Sequence, residues 1–182
     1  MKKLIVFVGS IVAIIAIFLV VFRVYTKSFS PQDKVAYKSD SVDIEVKYSR
    51  PYVKDRVIFG ELVPYGKVWR TGANEATVLS ISHDLKINGK ELKAGSYSIF
   101  TIPGKNSWKV IFNNEIGQWG IDVFSQSANR DPEMDALILQ VKPIYTSNVF
   151  NQFTIALEAM GDEVEMIMMW ENTLIVVPFS VK

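Results

Sequence analysis

Hydrophobic and polar positions fall into two regimes that meet near residue 28. From Leu4 to Phe22 nineteen residues pass without a charge, interrupted only by Gly9 and Ser10, and the apolar positions favour no single face. A helix of that length spans about 28 Å, close to the roughly 30 Å hydrocarbon core of a bilayer. Lys2 and Lys3 precede the run, and Arg23, Tyr25 and Lys27 follow it as interface anchors. Residues 1–27 are therefore expected to be an uncleaved signal anchor that meets the membrane through residues 4–22. A cleaved secretory signal is the rival reading. Its basic start fits, but a signal core runs to about 7–15 residues; the best small-residue site nearby is Thr26-Lys27-Ser28, and Pro31 spoils Ser28-Phe29-Ser30. The three-residue head favours an inward N-terminus and a periplasmic domain, on a bacterial inner membrane crossed once.

After a polar stem over residues 28–41 the period changes to two. Val42, Ile44, Val46 and Tyr48 alternate with Asp43, Glu45 and Lys47, as in a strand with one dry face. Further short strands are expected over 57–63, 67–70, 76–82, 85–87, 90–92, 97–102, 108–112, 136–141, 153–157, 164–170 and 174–179. Asn88-Gly89 is the strongest two-residue hairpin signal in the chain. Pro178 points to an edge position for the last strand. Residues 113–133 read as the longest irregular region, with room for one short turn near Pro132. Residues 42–182 are thus expected to form one antiparallel β-sandwich, of jelly-roll type if its strands pair in Greek keys.

Composition narrows the chemistry. No cysteine is present among 182 residues, which excludes disulfides, thiolate nucleophiles and thiolate metal sites. The net charge of +1 is unevenly spread. Residues 28–112 carry 13 basic and 9 acidic groups, whereas residues 113–182 carry 3 and 10. A duplex-binding module concentrates its basic groups, and no nucleic-acid partner is expected.

Seven motifs occur in order: Tyr48-Ser49-Arg50-Pro51, Tyr65 to Thr77, Ile87 to Lys90, Ala94 to Ser98, Phe100 to Gly104, Gln118-Trp119-Gly120, and Trp170 to Thr173. Together, over roughly residues 42–180, they resemble an uncharacterised bacterial family, domain of unknown function 2911. The resemblance implies an extracytoplasmic, export-directed β domain and brings no activity with it. The chain departs from the family pattern at Ile121-Asp122-Val123-Phe124, where relatives tend to carry tyrosines.

Candidate chemistry centres on residues 65–77, where Gly66 and Gly72 allow tight turns on either side of Trp69-Arg70. Trp69 could serve as a flat platform and Arg70 as a fork for a carboxylate or phosphate, with Asn74 and Glu75 adding hydrogen bonds. Equally, Trp69 could fill the core, Arg70 could pair with Glu75 or Glu61, and Asn74 could cap a turn. Arg50, Tyr65 and Trp119 complete the candidate ligand-binding set.

The single histidine, His83, lies beside Asp84 at a strand end without a nucleophile elbow. It therefore reads as a turn residue. Asp131, Glu133 and Asp135, and separately Asp162, Glu163 and Glu165, could offer oxygens to calcium but lack EF-hand spacing. Glu61 and Glu75 are the candidate carboxylate pair for a hydrolase. Met160, Met166, Met168 and Met169 cluster with Trp170 as an adaptable binding face could, but their alternation on a strand favours core packing. No catalytic set, metal site or cofactor is expected. The function expected is a membrane-tethered binding or interaction module for a small polar ligand, a glycan or an envelope protein. An envelope hydrolase using Glu61, Glu75 or His83 and a structural subunit of an envelope complex are the alternatives.

Overall fold

A computed structural model describes residues 2–122, 125 and 127–181, with residues 2–6, 23, 26 and 181 described by backbone alone. Helix α1 (Lys2–Ser28) leads into ten strands: β1 (Gln32–Lys38), β2 (Asp43–Ser49), β3 (Thr77–Ile81), β4 (Leu85–Ile87), β5 (Lys90–Leu92), β6 (Gly95–Ile102), β7 (Trp108–Asn113), β8 (Asp135–Val141), β9 (Ile144–Met160) and β10 (Glu163–Val181). A single 3₁₀ turn, Pro132–Met134, precedes β8.

The strands form two antiparallel sheets, one in the order β1-β2-β3-β6-β7-β8 and the other β5-β4-β10-β9. The expected β-sandwich is present. Neighbours in the larger sheet are mostly consecutive in sequence, a meander, whereas a jelly roll is built from two Greek keys. Ile44, Val46, Leu79, Ile99, Val110 and Phe112 from the large sheet meet Leu85, Ile87, Phe153, Met166 and Met168 from the small one in one continuous core. Full burial of each such side chain contributes roughly 1.5–3 kcal/mol. At Asn88-Gly89 both residues take positive φ, 49° and 76°, as a two-residue turn between twisted strands requires.

β6 and β7 are buried on both faces. Ile99 and Phe112 point into the main core, while Phe100 and Ile111 join Ala76 in a second cluster under Val68 and Ala128. The irregular segment 64–76 and the described residues of 114–130 therefore lie as a cover over the outer face of the large sheet.

Four expectations are corrected. The stem contains β1, which pairs with β2 from Gln32↔Ser49 to Lys38↔Asp43. Its apolar content is too low for the period to show, and pairing with β2 supplies the order. Residues 57–63 and 67–70 form turns with single bridges, Phe59↔Val63 and Trp69↔Thr101. The N–H groups of Ile58 and Phe59 donate to the Glu171 carboxylate, at 3.3 and 3.4 Å, and not to a neighbouring strand. The two strands expected over 164–179 are one, β10, with irregular register around Glu171, where φ is 56°. β10 is internal, between β4 and β9, so Pro178 marks no edge. It falls between the last pairing with β9 at Leu174 and the first with β4 at Ser180, where a missing N–H is harmless.

Among the described residues no helix is long and apolar enough to cross a membrane. The uncharged stretch of α1 with described side chains, residues 7–22, measures about 24 Å. Its apolar side chains have no cover from the sandwich. Ile14, Ile15, Ile17 and Phe18 stand at successive angles around the axis and are 66, 53, 64 and 63% exposed.

Candidate functional site

The loop from Tyr65 to Thr77 bends through positive-φ positions that its hydrogen bonds to the large sheet impose. Thr71 and Asn74 sit at φ 55° and 60°, and Gly72 at 146°. A side chain at Gly72 would press on the Ser49 carbonyl at 3.0 Å, so the position requires glycine. Trp69 exchanges backbone hydrogen bonds with Thr101, at 2.7 and 2.9 Å. Thr77 Oγ1 donates to the Thr71 carbonyl at 2.5 Å, and Thr71 Oγ1 donates to Thr101 Oγ1 at 3.1 Å. The buried side-chain donors of Thr71 and Thr77 are thereby satisfied, and the loop's shape is fixed.

That shape sends Trp69 into the core. Only 8% of it is exposed. Its ring stacks on Trp170 with centroids 5.6 Å apart and meets Phe59 and Phe153 edge-on. Nε1 donates to the Gly72 carbonyl at 3.1 Å. Trp69 is a core residue whose face is already taken, not an open platform.

Arg70 behaves otherwise. It is half-buried, and its Nε is fully buried with no acceptor among the described residues. Neither expected partner holds it. Glu61 is exposed, and Glu75 Oε1 pairs with Lys27 Nζ at 2.5 Å. Burial pulls the Arg70 pKa below the ordinary arginine value, yet a guanidinium stays protonated at neutral pH. Gly120 packs directly over it, and a methyl there would overlap the Arg70 side chain. Gly120 N also donates to the Asn74 carbonyl at 3.0 Å, which clips the 114–130 cover to this loop.

Arg70 lies between two clefts. The first, of about 540 Å³, runs under the cover and is lined by Pro64, Lys67, Val68, Arg70, Ile121 and Ala128 among others. The second, of about 430 Å³, opens toward the end of α1 and is lined by Phe29, Ser30, Tyr52, Lys54, Arg56, Trp69, Arg70 and Trp170 among others. Trp170 brings a second donor without a partner among the described residues, its buried Nε1.

The other expected ligand contacts are dispersed. Arg50 clamps the sandwich, donating to Asp33 Oδ2 at 2.9 Å, the Phe153 carbonyl at 3.2 Å and Thr154 Oγ1 at 2.9 Å. Tyr65 packs against the core and under Gly60. Asn74 Nδ2 donates to the Ser30 carbonyl at 3.2 Å. Glu75 and Trp119 form a backbone bridge. Neither cleft counts Arg50, Tyr65, Asn74, Glu75 or Trp119 among its lining residues. Lys54, Arg56 and Trp170 are the residues that sequence reasoning missed. The Lys54-Asp55-Arg56 triplet after Pro51 is the available signal, while Trp170 gives only its place on a core face and in the motif Trp170 to Thr173.

The remaining candidates have structural employment. His83 Nδ1 lies 2.9 Å from Ser82 Oγ in an exposed turn, and Asp84 pairs with Lys93 and accepts from Ala94 N. Asp131 accepts from Glu133 N, while Asp135 pairs with Arg130 and accepts from Asn113. Among the described residues no group of three or more metal-ligating side chains comes together. Met166 and Met168 are buried, as expected, but Met160 is 57% exposed. Of the stretch where the family pattern is broken, Val123 and Phe124 lie outside the described residues.

A family model described as "Protein of unknown function (DUF2911)" matches residues 30–179. Comparison with the curated proteins and with the solved structures returns no match.

Proposed function

We propose that this chain, which belongs to the DUF2911 family, is a membrane-tethered binding module that holds a small anionic ligand against Arg70. The observation that carries this reading is the Arg70 side chain, a cation with a fully buried, unpartnered Nε, set between two clefts. A buried donor left without an acceptor costs about 1–3 kcal/mol, more when charged. A carboxylate or phosphate oxygen would recover that loss, and a guanidinium is suited to such groups. The tether rests on the uncharged run from Leu4 to Phe22, its flanking cations and the uncovered apolar surface of α1. The sandwich would then lie on the periplasmic side of a bacterial inner membrane.

Two measurements test the reading. Alkaline carbonate should leave the full chain in the membrane pellet, and release into the supernatant would remove the tether. For binding, the full chain in neutral-detergent micelles is titrated with inorganic phosphate, glycerol 3-phosphate, citrate and neutral sugars, with tryptophan emission as the signal. At least one anion should saturate while the sugars do not, and Arg70→Gln should weaken that anion tenfold or more. Sugar binding that survives Arg70→Gln would replace the anion reading with a glycan one.

A further inference from the structure

The second cleft differs from the first in the charge of its lining and in its distance from α1. Three cations line it, Lys54, Arg56 and Arg70, and no carboxylate does. Of the acids next to lining residues, Glu171 accepts from Ile58 and Phe59, Asp55 borders a separate hollow with Asn151, and Glu61 is exposed outside the lining. Arg56 spends Nε and Nη2 on the carbonyls of Val53 and Tyr52, at 2.9 and 2.6 Å, which holds its guanidinium in place. Lys54 Nζ sits 4.5 Å over the Phe29 ring and has no carboxylate partner among the described residues. Arg70 Nε and Trp170 Nε1 stand unpartnered in residues of this same lining.

Height above the membrane follows from the chain. Phe29 and Ser30 line the cleft directly after α1 ends at Ser28. Six helical residues separate Phe22, the last of the uncharged run, from Ser28, a rise of about 9 Å. The headgroup layer on each side of the hydrocarbon core is roughly 5–8 Å thick. With the anchor in place, the cleft mouth therefore lies at the outer boundary of the headgroups.

We propose that this second cleft binds the phosphate of an anionic phospholipid headgroup from the membrane in which the chain is anchored. The inference rests on the tether and on the anion reading of Arg70, and adds the cleft and the source of the anion. The phosphodiester occupies the space between Lys54, Arg56 and Arg70 and is held by their three cations. Free phosphorylated solutes share this chemistry, and the experiment separates them from lipid.

The full chain in neutral-detergent micelles is titrated with dioctanoylphosphatidylglycerol, dioctanoylphosphatidylcholine and inorganic phosphate, read by tryptophan emission and by melting temperature. Phosphatidylglycerol should saturate at a concentration at least tenfold below the other two. The exposed pair Lys54→Ala/Arg56→Ala should weaken it tenfold or more while leaving far-UV circular dichroism and cooperative unfolding of the ligand-free chain intact. The distant exposed pair Lys86→Ala/Lys109→Ala should have no effect, which separates a cleft from general attraction to anionic lipid. Phosphatidylglycerol binding unchanged by Lys54→Ala/Arg56→Ala would overturn the proposal. Inorganic phosphate binding as tightly, with the same sensitivity, would overturn the lipid source and leave the anion cleft. Anion binding lost in Arg70→Gln but intact in Lys54→Ala/Arg56→Ala would move the ligand to the first cleft, so this proposal would fail while the binding-module reading stood.

Discussion

Arg70 and Trp69 are neighbours in sequence with opposite fates. Trp69 is enclosed by Trp170, Phe59 and Phe153 and donates to its own loop, so its role is packing. Arg70 is half-buried beneath Gly120 with Nε unanswered. A structural arginine stabilises its fold through its partners, whereas an unpaired one opposes folding by its desolvation. The two roles predict opposite signs for one substitution. Arg70→Met keeps most of the side-chain length and removes the charge. In the absence of ligand it should raise stability by roughly 1–2 kcal/mol, read by denaturant unfolding, and should abolish anion binding. A loss of stability instead would mean that Arg70 is part of the scaffold.

At the scale of elements, β1 is held to β2 by its ladder and by charges on the exposed face. Lys34 in β1 and Lys47 in β2 both reach Glu45, at 3.1 and 3.0 Å. Hydrogen bonds from Lys47 and then Lys34 lower the Glu45 pKa from its ordinary value. A carboxyl whose folded pKa is depressed adds stability above its unfolded pKa. That stability is lost as the pH falls through the lower, folded value. The melting temperature of the native chain should accordingly exceed that of Glu45→Gln at pH 7, by a small margin because Glu45 faces solvent. The margin should vanish in acid, below the ordinary glutamate range. A difference that persisted there would place its origin in packing or local backbone and not in charge.

For the whole molecule, the boundary between α1 and the sandwich carries a consequence for truncation. The family match begins at residue 30 and β1 at Gln32, both within the stretch whose composition reads as a polar stem. A variant lacking residues 1–28 keeps β1, the Arg50–Asp33 pair and the hydrogen bond from Arg50 N to the Pro31 carbonyl. It should be monomeric and cooperative in thermal unfolding. A variant lacking residues 1–41 bares the edge of β2 and leaves Arg50 without Asp33. Open strand edges invite pairing between molecules, so this variant should melt lower and elute as aggregates in size-exclusion chromatography. Equal behaviour of the two would return residues 28–41 to the role of a stem.

Several features were legible along the chain because their causes are local. The two-residue alternation of Val42 to Tyr48 and of Val164 to Trp170 marks a dry face whatever lies opposite, and all eight side chains are buried. Asn88-Gly89 carries its positive φ values by itself, and the motif series assigns the family. The uncharged run from Leu4 to Phe22 is likewise a property of sequence alone. Tertiary structure decided the rest. That β10 is one internal strand depends on β4 and β9 flanking it. That residues 57–63 are turns depends on Glu171, more than a hundred positions away, answering two of their N–H groups. The site is of the same kind. Whether Arg70 finds a carboxylate is set by where Lys27 places Glu75 and by how Gly120 closes over the loop. Lys54, Arg56, Arg70 and Trp170 share a cleft because Trp170 of β10 meets loops from the first half of the chain. A periodic pattern reports which face of an element is dry. It carries no information on which distant donors are left facing the same empty volume.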